Sequence, residues 1–338
     1  MFLNNGKSIV AISNGDPAGV GPEITLKAHL NEELRAVAAP VVIGSPELYA
    51  REIKALDLPL ELREIFALKD ASGDPGVVEI LPFDSLDLSA CPRGKVSAEG
   101  GRYSGASIAR AIELGMKGEA QSVVVSPNNK RAMKDGGHEH TGFEEITRHY
   151  TGADRSIQIL MGRKYNMARV TNHVPLSRVS ELCTRDRVLG QIEVLDESLK
   201  MVGIARPRIG VSGLNPHNGE RGLIGSEDMN EIEPACEMAR ERGLDVLGPI
   251  PGDTVFVDYG KYGFDIVLSM YHDHGNAAIK LLEFGHLVNF IGGLPIPVFT
   301  VSHGTAFDIA GKGIADATNM ELSIMAAAKA QRSQGMVA

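Results

Sequence analysis

Short runs of β-branched and aliphatic residues recur along this chain, and most are followed by a stretch with helical spacing. They lie at Ser8–Ser13, Val41–Gly44, Gly76–Leu81, Val123–Val125, Ala168–Thr171, Ile209–Ser212, Ile266–Met270, Val288–Asn289 and Val298–Ser302. That alternation restricts the chain to an α/β fold, because parallel neighbours need a crossover connection between them. Ile266, Val267, Leu268 and Met270 carry no polar alternation, as expected of a parallel strand covered on both faces. No internal repeat, low-complexity tract or long linker appears, and 338 residues predict a sizeable core in two lobes.

Chemistry is expected where the apolar runs stop. Ile266–Met270 ends in Tyr271-His272-Asp273-His274-Gly275, with Lys280 beyond it. Ala168–Thr171 leads into Asn172 and His173, and Ile209–Ser212 into Asn215, Pro216 and His217. Ligands of open α/β sheets bind outside the carboxyl ends of the strands, and neutral imidazole is a common metal ligand. His173, His217 and His272 are too far apart in sequence for a finger-like zinc motif, yet each can reach one point from its own strand end. Three histidines with open coordination positions suit a catalytic metal, whereas structural zinc closes four ligands and favours cysteine. The alternative is that these histidines only cap strands.

Composition removes several function classes. Apolar residues make up 43%, and 34 Lys and Arg against 43 Asp and Glu leave a net charge of −9 without long like-charge blocks. Nucleic acid and anionic membranes are therefore not expected partners. No apolar run is long enough to span a bilayer, and the first residues lack a secretory pattern, so a cytoplasmic location is expected. Cys91, Cys183 and Cys236 read as scattered reduced thiols.

Other segments carry weaker signals. Gly15-Asp16-Pro17-Ala18-Gly19-Val20-Gly21-Pro22 joins a strand to a helix and reads either as an anion-binding turn or as a tight structural one; it is not a GxGxxG fingerprint. The small residues of the helix over 97–118 predict close packing. Lys130 follows a strand end, His140 and Thr141 precede the helix over 142–150, and Asp253 sits in a turn over 248–254. Thr184 and Ser226 are expected to cap helices running to about 203 and 242, and a last helix covers about 319–331.

Together these segments resemble the 4-hydroxythreonine-4-phosphate dehydrogenase family, called PdxA, and its paralogues. GDPAGVGPE, SPNNK, EHT, TNHVPL, GLNPHNGERGLIGSED, GPIPGDT, MYHDHG and HGTAFDIAGKGIAD occur in order across nearly the whole chain. The first and last also look like loops of isocitrate and isopropylmalate dehydrogenases. The resemblance implies that two-lobed α/β fold with a cleft between the lobes. Residues 1–135 and 305–338 would form an outer lobe with the cofactor loop, and 136–304 a central lobe with the metal ligands and dimer interface. It implies a divalent metal (Zn, Mg, Mn or Co) on His173, His217 and His272. Substrate contacts would come from His140, Thr141, Asp253, Lys280 and Asn289, and NAD or NADP would lie on Gly304, Thr305, Ala306 and Asp308. A homodimer sharing its active sites is implied as well.

Two positions depart from the family: Val298 stands where an arginine is usual, and His274 where a glutamine is. The implied reaction is NAD(P)-dependent oxidation of a secondary alcohol in a small 4-phosphorylated hydroxy acid, 4-phosphohydroxy-threonine or a threonate or erythronate 4-phosphate, followed by decarboxylation. Lys280 or Asp273 would transfer the proton. The missing arginine gives weight to a dihydrodiol-carboxylate dehydrogenase, whose substrates carry no phosphate. A three-histidine metal hydrolase is a further rival, for which the HGTAFDIAGKG loop has no use.

Overall fold

The computed structural model describes residues 3 and 6–332. Two compact units emerge: one is built from the segments up to Asp154 and from Leu294 onward, the other from Arg155–Gly293.

The first unit opens with β1 (Ser8–Ser13), buried at every residue, and continues through β2 (Ala38–Ile43), β3 (Glu61–Glu64), β4 (Val77–Leu81) and β5 (Ser122–Val125). β1 lies parallel between β2 and β5; β4 lies parallel to β2, with β3 outside it. The second unit holds β6 (Ile157–Met161), β7 (Asn166–Arg169), β8 (Arg208–Ser212), β9 (Asp245–Ile250), β10 (Ile266–Ser269) and β11 (Val288–Gly292), in the spatial order β11-β6-β7-β10-β8-β9. Parallel pairing runs through β7, β10, β8 and β9, and β6 is antiparallel to both its neighbours. β12 (Val298–Val301) returns to the first unit and pairs in parallel with β5.

The unit boundaries differ from those the family resemblance implies. Residues 136–154 and 294–304 belong with the first unit, because the helix Phe143–Thr151 packs on the helix Ala98–Met116 and β12 extends the sheet beside β5. Residues 1, 2, 4, 5 and 333–338 lie outside the described residues.

Thr184 caps its helix as expected, accepting from the Arg187 N–H at 3.4 Å, and Ser97 does the same for its own, accepting from the Gly100 N–H at 3.1 Å. Ser226 makes no such side-chain cap. Its helix opens with a π-turn at Asp228–Ile232 before the α-helix Glu233–Glu241, and the Asp228 carboxylate turns back to accept from the N–H groups of Leu214 and Asn215. Cys91, Cys183 and Cys236 are buried free thiols. Among the described residues no helix is long and apolar enough to cross a membrane.

Candidate active site

All four residues of β10 are buried, and the extended Tyr271 then turns the chain into the helix His272–Glu283. The His-Asp-His cluster is therefore the first turn of a helix at the carboxyl end of a central parallel strand. His272 is held on both ring nitrogens: Nδ1 lies 2.7 Å from Asp273 Oδ1 and Nε2 lies 3.0 Å from the Asn276 amide nitrogen. Its ring centroid is 5.4 Å from that of His173, which follows neighbouring strand β7. His274 stacks on Tyr271 at 5.4 Å and donates from Nε2 to the Gly252 carbonyl at 3.0 Å, leaving Nδ1 buried with no partner.

His217 reaches the same end of the sheet from β8 by an unusual route. Residues His217, Asn218, Gly219, Glu220, Arg221 and Gly222 all have positive φ. A left-handed stretch of this kind is costly for side-chain-bearing residues and persists where its surroundings hold it. Asp228 does so at one end, and the Asn218 amide donates to the Pro249 carbonyl at 2.9 Å. His217 Nδ1 lies 3.1 Å from Glu220 Oε1, and the ring lines a pocket with Asn215, Gly252, Asp253, Tyr271 and His274.

The structure thus brings His173 and His272 side by side. Among the described residues, however, no three His, Cys, Asp or Glu side chains are gathered closely enough to hold an ion. The donor chemistry still fits a metal. His217 and His272 each turn Nδ1 to a carboxylate, the outer-shell arrangement that fixes a ligating imidazole, although His272 Nε2 also faces the Asn276 amide nitrogen and would have to leave it to bind an ion.

The remaining expected residues divide between the two units. In the second, Asp253 lines the pocket, Lys280 is exposed on the helix, and Asn289 is buried on β11 with its Oδ1 accepting from the Gln158 amide at 2.8 Å. In the first, His140 stacks on His149 at 4.5 Å, and Thr141 is half-buried beside it. Val298 is wholly buried at the start of β12, opposite Val123.

The glycine turn acts as a seat for the loop carrying Gly304, Thr305, Ala306 and Asp308. The Val20 N–H donates to the Thr305 carbonyl at 3.0 Å, and a Cβ on Gly19 would stand only 2.8 Å from that oxygen. Ala306 sits at φ +42°, while Gly304 and Asp308 remain exposed. The close approach of two backbones explains the glycine; an anion-binding role is not needed for it.

Sequence reasoning missed Gln158, Arg169, Asn172 and Asn276. Arg169 is only 6% exposed and lies among their side-chain oxygens. A cation between Ala168 and Val170 in an otherwise apolar run was the available signal, since arginines are almost never buried without a purpose.

The chain is similar to several dehydrogenases over nearly its whole length. The D-threonate 4-phosphate dehydrogenase of Pectobacterium atrosepticum is 38% identical over 320 residues, covering 94% of this chain and 98% of that protein. A 4-hydroxythreonine-4-phosphate dehydrogenase from Burkholderia phymatum superposes with a TM-score of 0.88 at 36% identity, covering 96% of this chain and 99% of that one. A terephthalate 1,2-cis-dihydrodiol dehydrogenase from Burkholderia xenovorans LB400 follows at 0.71 and 27%, covering 96% and 98%. The sequence model of the pyridoxal phosphate biosynthetic protein PdxA matches residues 36–327, so the chain belongs to the PdxA family.

Proposed function

We propose that this chain is a metal-dependent NAD(P) dehydrogenase that oxidises a secondary alcohol of a small 4-phosphorylated hydroxy acid, D-threonate 4-phosphate or 4-hydroxythreonine 4-phosphate in type. The observation that carries this reading is the pair of carboxylate-buttressed imidazoles, His217 and His272, beside a pocket at the carboxyl ends of β8 and β10. Near-full-length similarity to a D-threonate 4-phosphate dehydrogenase supports the phosphorylated acid.

His173, His217 and His272 would hold the ion. When bound, the metal would supply charge stabilisation for a developing alkoxide and a nicotinamide would supply the hydride acceptor. The chain's own groups do the rest. Asp273 accepts from His272 Nδ1, and either Asp273 or an unprotonated Lys280 would take the hydroxyl proton. Asn289 and Asp253 bind and orient the acid, and the seated loop at Gly304–Asp308 carries the cofactor. The keto acid left by oxidation β to the carboxylate loses carbon dioxide. A homodimer is part of the proposal: Leu281 and Phe284, 87% and 81% exposed, offer an apolar face at the end of the His272–Glu283 helix.

The test follows reduced nicotinamide by absorbance with each phosphorylated acid and with a dihydrodiol carboxylate, with and without a chelator. Chelator-sensitive reduction with a phosphorylated acid is expected, and His217→Ala should lose both bound metal and turnover. Activity on the dihydrodiol alone would overturn the phosphorylated substrate in favour of the second reading, which the buried Val298 in place of an arginine favours. Full activity of the His217 variant would remove the metal assignment. Light scattering should give a dimer mass that Phe284→Asp reduces to a monomer.

A further inference from the structure

We propose that Lys27 and Glu23 are positioning residues for dinucleotide binding: as one ion pair they fasten the far end of the loop that carries Gly304, Thr305, Ala306 and Asp308. The helix Gly21–Ala28 sets the two one turn apart on a common face. Lys27 Nζ donates to Glu23 Oε1 at 2.9 Å, to the Gly313 carbonyl at 2.9 Å and to the Ala315 carbonyl at 2.8 Å. An ammonium has three N–H donors, so these partners occupy it completely. The same Glu23 Oε1 accepts from the Ala315 N–H at 2.8 Å, and Ala315 is thereby held at both of its backbone groups.

The near end of the loop is tied to the residue in front of the same helix, since the Val20 N–H donates to the Thr305 carbonyl at 3.0 Å. Between the two ties run successive turns, with the Ile309 N–H on the Ala306 carbonyl and the Lys312 N–H on the Ile309 carbonyl, each at 3.1 Å. Ala306, Gly311 and Gly313 have positive φ, and no residue of 306–314 is buried. A loop with so little burial opens readily, and its shape depends on how its ends are held. Glu23 is only 2% exposed, and its Oε2 is buried without a hydrogen-bond partner. An apolar side chain would pack the helix at less cost, so the carboxylate is explained by what its other oxygen holds. The inference rests on the proposed role of this loop in carrying the cofactor: a loop fixed beforehand spares the dinucleotide the cost of ordering it.

The test compares full-length wild type, Lys27→Met, Lys27→Arg and Glu23→Gln by hydrogen exchange without ligand and by calorimetry with NAD and NADP. Lys27→Met should speed exchange of the 306–313 amides while β1 and β5 keep wild-type rates, and should weaken dinucleotide binding about tenfold. Lys27→Arg, which keeps the charge and the donors, should recover part of both, and zinc affinity should stay that of wild type in every variant. In turnover, KM for the dinucleotide should rise while kcat and KM for the acid change little. Faster exchange throughout β1 and β5 would reduce the pair to a general brace of the fold and overturn the proposal. So would a folded Lys27→Met with wild-type exchange at 306–313 and wild-type dinucleotide affinity. Should Lys27→Met not fold, Glu23→Gln decides: it keeps an acceptor for the Ala315 N–H but removes the charge facing Lys27, and unchanged exchange and affinity there overturn the proposal. Wild type that takes up neither dinucleotide overturns the cofactor reading, whereas the exchange comparison, made without ligand, judges the fastening by itself.

Discussion

Asp16 carries a carboxyl that the fold treats unequally. Oδ1 accepts from the Ala18 N–H at 2.9 Å, whereas Oδ2 is buried without a partner, and burial pushes the group up to about 6 against the opposing Ala18 bond. A folded value above the unfolded 3.8 means that the folded chain binds the proton more tightly. The charged form therefore costs nothing below the unfolded value and its full penalty above the folded one. At about 1.4 kcal/mol per pH unit, the penalty is on the order of 3 kcal/mol. Asp16→Asn should match wild type in urea melts near about pH 4 and exceed it near about pH 8; equal midpoints at both would refute the penalty. The glycine-rich turn around Asp16 was plain in the sequence, but its burial was not, because periodicity says which face a residue takes only inside helices and strands. Arg169 shows the same limit. Histidines at strand ends stand out by residue type, while the buried Arg169 is recognised only once Gln158 of β6, Asn172 after β7 and Asn276 of the His272 helix turn their side-chain oxygens to it.

Elements were legible in proportion to their burial. β1, β5 and β10 are continuous apolar runs, and the chain writes them openly. β3 reads Glu-Leu-Arg-Glu at the edge of its sheet, where backbone pairing needs no apolar side chains, and nothing in its sequence announces it. The left-handed turn through His217 was likewise hidden: its conformation is imposed by Asp228 and the neighbouring Pro249 carbonyl. Small residues in the Ala98–Met116 helix did signal close packing, and Gly101 is where it is closest. A Cβ there would lie 1.8 Å from the Ala132 carbonyl oxygen, a backbone atom of the Lys130–Asp135 helix. Gly101→Ala should destabilise the protein by about 3 kcal/mol, read as a lower denaturation midpoint; no change would mean that the short helix moves aside freely. Glu283 ties another pair of elements. Burial would raise its carboxyl, but the N–H groups of Lys164, Tyr165 and Arg163, with His286 adding to them, win and hold it below the usual range. That stabilisation is present above the ordinary glutamate value of 4.5 and fades as pH falls through the lowered one. Glu283→Gln should cost about 2 kcal/mol near neutral pH, and the gap should close in acid; a gap independent of pH would show that the charge plays no part.

At the scale of the whole molecule, the proposed ligands divide between the two units. Every histidine proposed to hold the metal lies within Arg155–Gly293, while the loop proposed for the cofactor lies after Leu294 and sits on the turn before Gly21. The family resemblance already put the cofactor loop and the metal ligands in different lobes, but the boundary before β12 is not written in the sequence, since β12 follows β11 after only five residues yet pairs with β5 of the other unit. Hydrogen exchange can read the division directly. Backbone amides exchange through local opening, and a ligand slows those whose opening breaks its own contacts. A divalent ion alone should slow exchange around residues 172–174, 215–222 and 271–276, where three separate turns carry the histidines. The run of positive φ at 217–222 should respond most, because its strain favours opening when nothing holds His217 from the ligand side. Nicotinamide dinucleotide alone should slow residues 303–308 and, through the Val20 to Thr305 bond, the turn at 15–20. If the ion protected the 303–308 loop, or the dinucleotide the 217–222 turn, the assignment of one ligand to each unit would fall.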